Sequence, residues 1–139
     1  MACTTHPLGS LKNYKYVVVI SICKGMIMLS KHNFRLTWET QGGHIEEGET
    51  PLCAAKRELF EESGAVKFDI TPLFDYRSGN ETDYADGQVF LAKIKKLAPI
   101  PDGSEMRDVG FFERIPSQLT YPDITPVLFA EAERLGYLS

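Results

Sequence analysis

Long hydrophobic runs are missing from this 139-residue chain. The longest, YVVVISIC and GMIMLS, fall far short of the roughly 20 apolar residues that a membrane-spanning helix needs. A spanning segment is therefore excluded. The first residues, MACTTHPLGSLKNYK, lack the basic patch and apolar core of a secretory signal, so a cytoplasmic home is expected. Cysteine is scarce. Cys3, Cys23 and Cys53 are odd in number and share no C-x-x-C spacing, which argues against both a disulfide framework and a zinc knuckle. They read as reduced thiols, with Cys23 and Cys53 in apolar settings that suggest core packing. Repeats and low-complexity tracts are missing too, and the length fits one domain over residues 1–139.

An excess of positive charge is also lacking. The net charge is −4, and its location says more than its size. The stretch GGHIEEGETPLCAAKRELFEESGA, from Gly42 to Ala65, holds six glutamates against Lys56 and Arg57, while the rest of the chain balances 13 acids with 13 bases. The whole acidic excess sits in that segment. A general nucleic-acid surface, which needs a basic stripe, is disfavoured.

What is present reads as a sheet with two helices. Tyr14–Ile22 and GMIMLSK pair as a hairpin, FRLTWETQGG is a short extended segment, AVKFDITPLFDYRS and DGQVFLAKIKKL are strands joined near Gly79-Asn80, and VGFFERI is a last strand. Thr50 as N-cap, Pro51 as first helical residue and Gly64 as stop bound the clearest helix, with Leu52, Ala55 and Leu59 toward the core. A second helix, TPVLFAEAERLG, starts with Thr125 as cap and ends at Gly136. The sum is an α/β or α+β sandwich.

On the first helix Glu58, Glu61 and Glu62 are three and four residues apart, so they share a face. Like charges at that spacing cost an isolated helix roughly 0.2–0.5 kcal/mol per pair, a penalty that a cation removes. Hard divalent ions take oxygen ligands and bind through a few carboxylates together with waters and phosphates. Spacing alone leaves a solvated acidic face as the alternative.

The fixed pattern Gly43, five residues, Glu49, seven residues, Arg57-Glu58-Leu59, one residue, Glu61-Glu62, one residue, Gly64 is far more specific. It resembles the 23-residue signature of the Nudix hydrolase superfamily. Seven fixed positions would coincide by chance roughly once in 10⁸ trials. Ala65 is smaller than the family's usual aliphatic residue there, and Gln41 stands where many relatives have proline.

The resemblance implies an α/β/α sandwich around a mixed β-sheet and hydrolysis of a nucleoside diphosphate linked to a group X with Mg²⁺ or Mn²⁺. The MutT-like members that cut nucleoside triphosphates, oxidised ones such as 8-oxo-dGTP included, to monophosphate and pyrophosphate look most similar. Dinucleoside polyphosphates, nucleotide sugars, an RNA 5′ end or a non-catalytic nucleotide sensor are alternatives. By the same resemblance Glu61 and Glu62 match metal ligands, Glu58 a ligand or general base, and Gly42 or Gly43 a carbonyl ligand. Arg57 matches a brace that pairs with Glu49 and orients its neighbours. Glu105, in the loop GSEMRD, occupies the kind of place where relatives carry a base or extra ligand; plain loop charge is the alternative.

Candidate substrate contacts are Arg35, Arg77 and Lys24 for phosphate, His44 in the turn, and Trp38, Phe34, Tyr76 and Tyr84 for stacking a base, with core packing the bland reading of each aromatic. Position 80 is Asn rather than the proline that goes with ADP-ribose in relatives, and Tyr84 falls one residue past the window for dinucleoside polyphosphates. The partners expected are a small nucleotide, no membrane and no nucleic acid beyond an RNA 5′ end, in a monomer or homodimer.

Overall fold

The computed structural model describes residues 2–138. Strands β1 (Ala2–His6), β2 (Tyr14–Cys23), β3 (Met26–His32), β4 (Trp38–Glu39) and β5 (Gln41–His44) precede helix α1 (Pro51–Ser63). Strands β6 (Ala65–Gly79), β7 (Tyr84–Leu97) and β8 (Met106–Phe112) and helix α2 (Thr125–Arg134) follow. The sheet order is β1-β6-β7-β2-β3-β4, with β5 added on β2 and β8 on β3. It is mixed, because β2 and β7 run parallel while the other pairs are antiparallel.

The two helices cover opposite faces. Ala54, Ala55 and Leu59 of α1 pack on Val17, Val19, Met28, Phe90 and Ala92, and Leu128, Phe129 and Ala132 of α2 pack on Ile20, Phe74, Tyr76, Val89 and Leu91. Alternation along each strand sends successive side chains to these two cores. The expected α/β/α sandwich is the observed architecture. Among the described residues no helix is long and apolar enough to cross a membrane.

Strand β2 makes the geometry that matters. Its C-terminal end, Ser21–Cys23, pairs with β3, while its N-terminal half, Tyr16–Val19, pairs with β5. The sheet therefore forks along one edge of β2, and Gly42-Gly43 is laid into the fork. Gly42 has φ 153°, and a side chain there would run into the Val17 carbonyl. Only glycine fits.

Several local expectations change. Thr50 caps α1 as expected, accepting from Cys53 N at 3.2 Å, and Gly64 closes it in the left-handed conformation at φ 81°. Leu52, however, is 39% exposed and Cys53 also faces solvent. The buried stripe is Ala54, Ala55, Leu59 and Glu62, so the polar Glu62 takes a core-facing place that pattern reading gave to Leu52. Thr125 does not cap α2: it is the first helical residue, and the cap, Ile124, makes no side-chain bond. Strand β1 was not expected; it adds to the edge of β6 from Ala2↔Gly79 to His6↔Asp75.

A chain of buried hydrogen bonds ties the fork to α1. Ser21 Oγ donates to Gln41 Oε1 at 2.6 Å, Gln41 Nε2 donates to Ser30 Oγ at 2.9 Å, and Ser30 Oγ donates to the Glu62 carbonyl at 2.8 Å. Gln41, Ser21 and Ser30 are all essentially inaccessible to water. Removing one member strands its partners without water, so Gln41→Leu should cost about 1–3 kcal/mol of folding stability, read as a lower urea midpoint at unchanged slope.

Candidate active site

Arg57 touches every glutamate of this face except Glu62 and Glu47. Its Nε and Nη2 donate to the two oxygens of Glu49 at 2.8 and 2.9 Å, a two-point clasp. Nη1 donates to Glu58 Oε1 at 2.6 Å and reaches Glu61 Oε2 at 3.4 Å, and Nη2 also donates to the His44 carbonyl at 3.1 Å. One guanidinium thus links the loop before α1, strand β5 and two residues of α1. The clasp has an electrostatic signature: hydrogen bonds from Arg57, then one from Glu46 N, hold the Glu49 carboxyl down at about 2, and Glu49 in turn raises Arg57 further.

Glu58 and Glu62 are set differently. Burial, countered by Arg57 and reinforced by Glu61, pushes Glu58 up to about 7. Burial pushes Glu62 up to about 9 despite the Gly42 N–H that donates to its Oε1 at 2.7 Å; the charges of Glu58, Glu39 and Glu105 add to the rise. Gly43 supplies room, since a side chain there would collide with the Glu58 carboxylate. Glu46 and Glu47 are exposed, as expected for loop charge.

These groups line a cleft of about 1140 Å³. Glu58, Glu61, Glu62, Arg57, Gly42, Glu105, Arg35, His44, Tyr76 and Tyr84 all border it. Glu105 comes from the loop ahead of β8, which is pinned to α1 by Ser104 Oγ donating to the Glu61 carbonyl at 2.7 Å. Arg35 donates to Glu39 at 3.2 Å. Arg77 turns elsewhere: it clasps Asp86 at 2.6 and 3.0 Å and lies 4.1 Å over the Tyr84 ring. Trp38 packs edge-on against Phe112, with Lys31 over its face, while Phe34 is 90% exposed.

Glu39 was missed. It is a buried carboxylate on the cleft wall that also accepts from Thr120 Oγ1 at 3.1 Å. Strand alternation holds the signal: Glu39, Gln41 and Gly43 are two apart, and Gly43 faces Glu58.

Among the described residues no three His, Cys, Asp or Glu side chains already converge as an ion's ligand set. Arg57 accounts for that, because its Nη1 draws Glu58 and Glu61 aside. The donor set nonetheless fits a hard divalent cation. It is all oxygen, and two carboxylates held far above their ordinary range, Glu62 buried and Glu58 half-buried, are short of positive charge.

That imbalance fixes a pH dependence. Groups raised in the fold stabilise it fully below their unfolded value near 4.5 and lose that contribution as pH rises through about 7 and then about 9. In EDTA the melting temperature should fall by several degrees between pH 5.5 and 9. Millimolar Mg²⁺ should restore it at pH 8.5 and not at 5.5, because ligation needs the ionised carboxylates. Thermal unfolding scans at each pH check both.

The NUDIX domain family model matches residues 13–124. The chain is 30% identical over 128 residues to the oxidized purine nucleoside triphosphate hydrolase of Danio rerio, covering 87% of this chain and 81% of that one. It is 43% identical over 63 residues to the RNA pyrophosphohydrolase of Actinobacillus succinogenes, covering 44% of this chain and about a third (32%) of that relative's length. The crystal structure of the Bacillus subtilis pyrophosphohydrolase BsRppH has the same fold, at a TM-score of 0.81 and 22% identity over 99% of this chain and 93% of that one. The signature read in residues 43–64, set in this fold and matched by the family model over most of the sequence, places the chain in the NUDIX domain family.

Proposed function

We propose that the chain hydrolyses the phosphoanhydride of a free nucleoside triphosphate, oxidised purine triphosphates included, to the monophosphate and pyrophosphate with Mg²⁺ or Mn²⁺. One observation carries this. Eight of the residues lining the cleft are Asp or Glu and three are Lys or Arg, one of which, Arg57, is already spent on carboxylates. A polyphosphate enters such a cleft only if cations come with it. The similarity to the oxidized purine nucleoside triphosphate hydrolase of Danio rerio supports the same substrate class.

An RNA 5′ end is the second reading, favoured by the similarity to the Actinobacillus succinogenes RNA pyrophosphohydrolase. The acidic lining weighs against it, because a strand beyond its first nucleotide needs a basic groove to follow. Residues 1–139 act as one domain in the cytoplasm.

Glu58, Glu61, Glu62 and the Gly42 backbone would hold the cation, with Arg57 fixing the carboxylates and Glu49 fixing Arg57. A divalent ion bound there neutralises phosphate oxygens and makes bound water more acidic. Glu105 takes the proton. Its carboxylate makes no hydrogen bond among the described residues and borders the cleft beside the glutamates, whereas Glu58 is occupied by Arg57. The water oxygen bonds to phosphorus as its proton passes to Glu105, and the bridging P–O bond breaks with its electron pair leaving on the departing phosphate. Arg35 meets the phosphates by exchanging its Glu39 partner for them, while Arg77 stays with Asp86.

Substrate depletion and Mn²⁺ binding separate these roles. Glu105→Gln should lower kcat by about 10²–10⁴ and leave Mn²⁺ affinity unchanged, and Glu62→Gln should lose both. Arg57→Ala should weaken Mn²⁺ binding about 10–100-fold. A wild type that turns over no nucleoside triphosphate in Mg²⁺ overturns the assignment, and faster turnover of a triphosphorylated RNA than of the free nucleotide favours the second reading.

A further inference from the structure

Only its own backbone decides where the Glu105 carboxylate points. Among the described residues that carboxylate makes no hydrogen bond and no ion pair, although it borders the cleft. Its direction is therefore set by the two peptide groups that flank the Glu105 α-carbon. These belong to a loop with few ties. From Pro99 to Glu105, among the described residues, hydrogen bonds join the loop to the rest of the molecule only at Ser104 and Glu105.

Asn33, the first residue past β3, grips both peptide groups. Its backbone N–H donates to the Glu105 carbonyl at 2.8 Å, and its Nδ2 donates to the Ser104 carbonyl at 3.1 Å. One bond holds the peptide plane after the Glu105 α-carbon and the other the plane before it. The rotations of those planes are the only soft backbone torsions of Glu105, so holding both fixes the direction of its side chain. The β-ladder does not do this. Lys31 faces Asp108 and His32 faces Met106, which makes Arg107 the extra residue of a bulge and breaks regular pairing beside the loop. Asn33 is itself held, as the second residue of a turn that the Arg35 N–H closes on the His32 carbonyl at 3.2 Å. On the opposite side Ser104 Oγ anchors the loop to α1 at the Glu61 carbonyl.

We infer that Asn33 is a positioning residue for Glu105: its two bonds clamp the peptide groups beside that α-carbon and so aim the carboxylate into the cleft. The inference rests on the reading of Glu105 as proton acceptor and adds the residue that places it. Proton transfer needs heavy atoms within about 2.6–3.2 Å of each other, and a misplacement of about 1 Å can cost 10²-fold in rate. A loop glutamate with no partner of its own meets that tolerance only if its backbone is held. The side-chain amide is suited to this because it donates; an aspartate of the same shape would present oxygen to the Ser104 carbonyl. The Nδ2 bond lies at the surface, so its loss costs folding little and is felt in the placement of Glu105. Arg35 sits in the same turn, so Asn33 also fixes the cleft's arginine and its proton acceptor relative to each other.

Asn33→Ala and Asn33→Asp test this, each alone and combined with Glu105→Gln. Both remove the Nδ2 donor and leave the backbone N–H on the Glu105 carbonyl, so kcat for nucleoside triphosphates should fall about tenfold, less than for Glu105→Gln. KM should change less than about twofold, and Mn²⁺ affinity and melting temperature should match the wild type. In the Glu105→Gln background neither substitution should lower kcat further. Amide hydrogen exchange at Ser104 and Met106 should quicken about tenfold in both variants while the amides of α1 exchange as before. Losses that multiply in the combined variants, a fall in Mn²⁺ affinity, or unchanged exchange at the two amides overturns the inference. Exchange needs no turnover, so Glu105→Gln at full kcat sinks the proton acceptor while exchange still decides whether Asn33 holds the loop.

Discussion

The clasp of Arg57 on Glu49 is the interaction on which the site depends. A helix face carrying three carboxylates repels itself, and burial makes the repulsion worse. A fixed positive charge in their midst, held by a loop that precedes the helix, makes the arrangement tolerable before any ligand arrives. The guanidinium also joins elements distant in sequence, since its bond to the His44 carbonyl ties α1 to the strand carrying the two glycines. Arginine rather than lysine is needed, because a single ammonium could not satisfy Glu49 in two-point fashion and still reach Glu58.

Two further devices complete the frame. The Gly42 N–H meets Glu62 from the sheet side, and the Ser21–Gln41–Ser30 relay holds the backbone of the same glutamate from beneath. Glu62 is thus positioned at both its carboxylate and its carbonyl. Gln41 occupies a place where proline would donate nothing, and here its side chain links β5 to β2 and β3, while Ser30 carries the link on to α1.

The legible part of the molecule was the local part. Thr50, Pro51 and Gly64 announce the helix because capping and left-handed geometry are decided within a few residues, and the spacing of Arg57, Glu58, Glu61 and Glu62 announces a shared acidic face for the same reason. Cys53 and Leu52 misled because a hydrophobic residue on a helix says only that it could be buried; which face turns inward was decided by Ala54, Ala55 and Leu59 against the sheet. Glu39 was passed over although the alternation of Glu39, Gln41 and Gly43 carries its signal, and the relay was beyond reach, since it depends on pairings between residues far apart in sequence. Strand β1 escaped notice because a five-residue edge strand carries little periodicity of its own.

The parallel ladder between β2 and β7 has a consequence for how the protein comes into being. Tyr14 pairs with Asp86 and Cys23 with Ile94, so the centre of the sheet closes only after about seventy intervening residues, α1 among them, have been made. The other strand pairs form between neighbours or across shorter loops, except β1 with β6, at a similar separation, and the late addition of β8 to β3. On a ribosome the glutamate helix emerges complete, yet its sheet has no second half to close against until β7 follows. Until then the acidic face is held to the strand of the two glycines by Arg57 at the His44 carbonyl and by the Gly42 N–H at Glu62, so these two contacts can hold the site's geometry in a nascent chain before its sheet is closed.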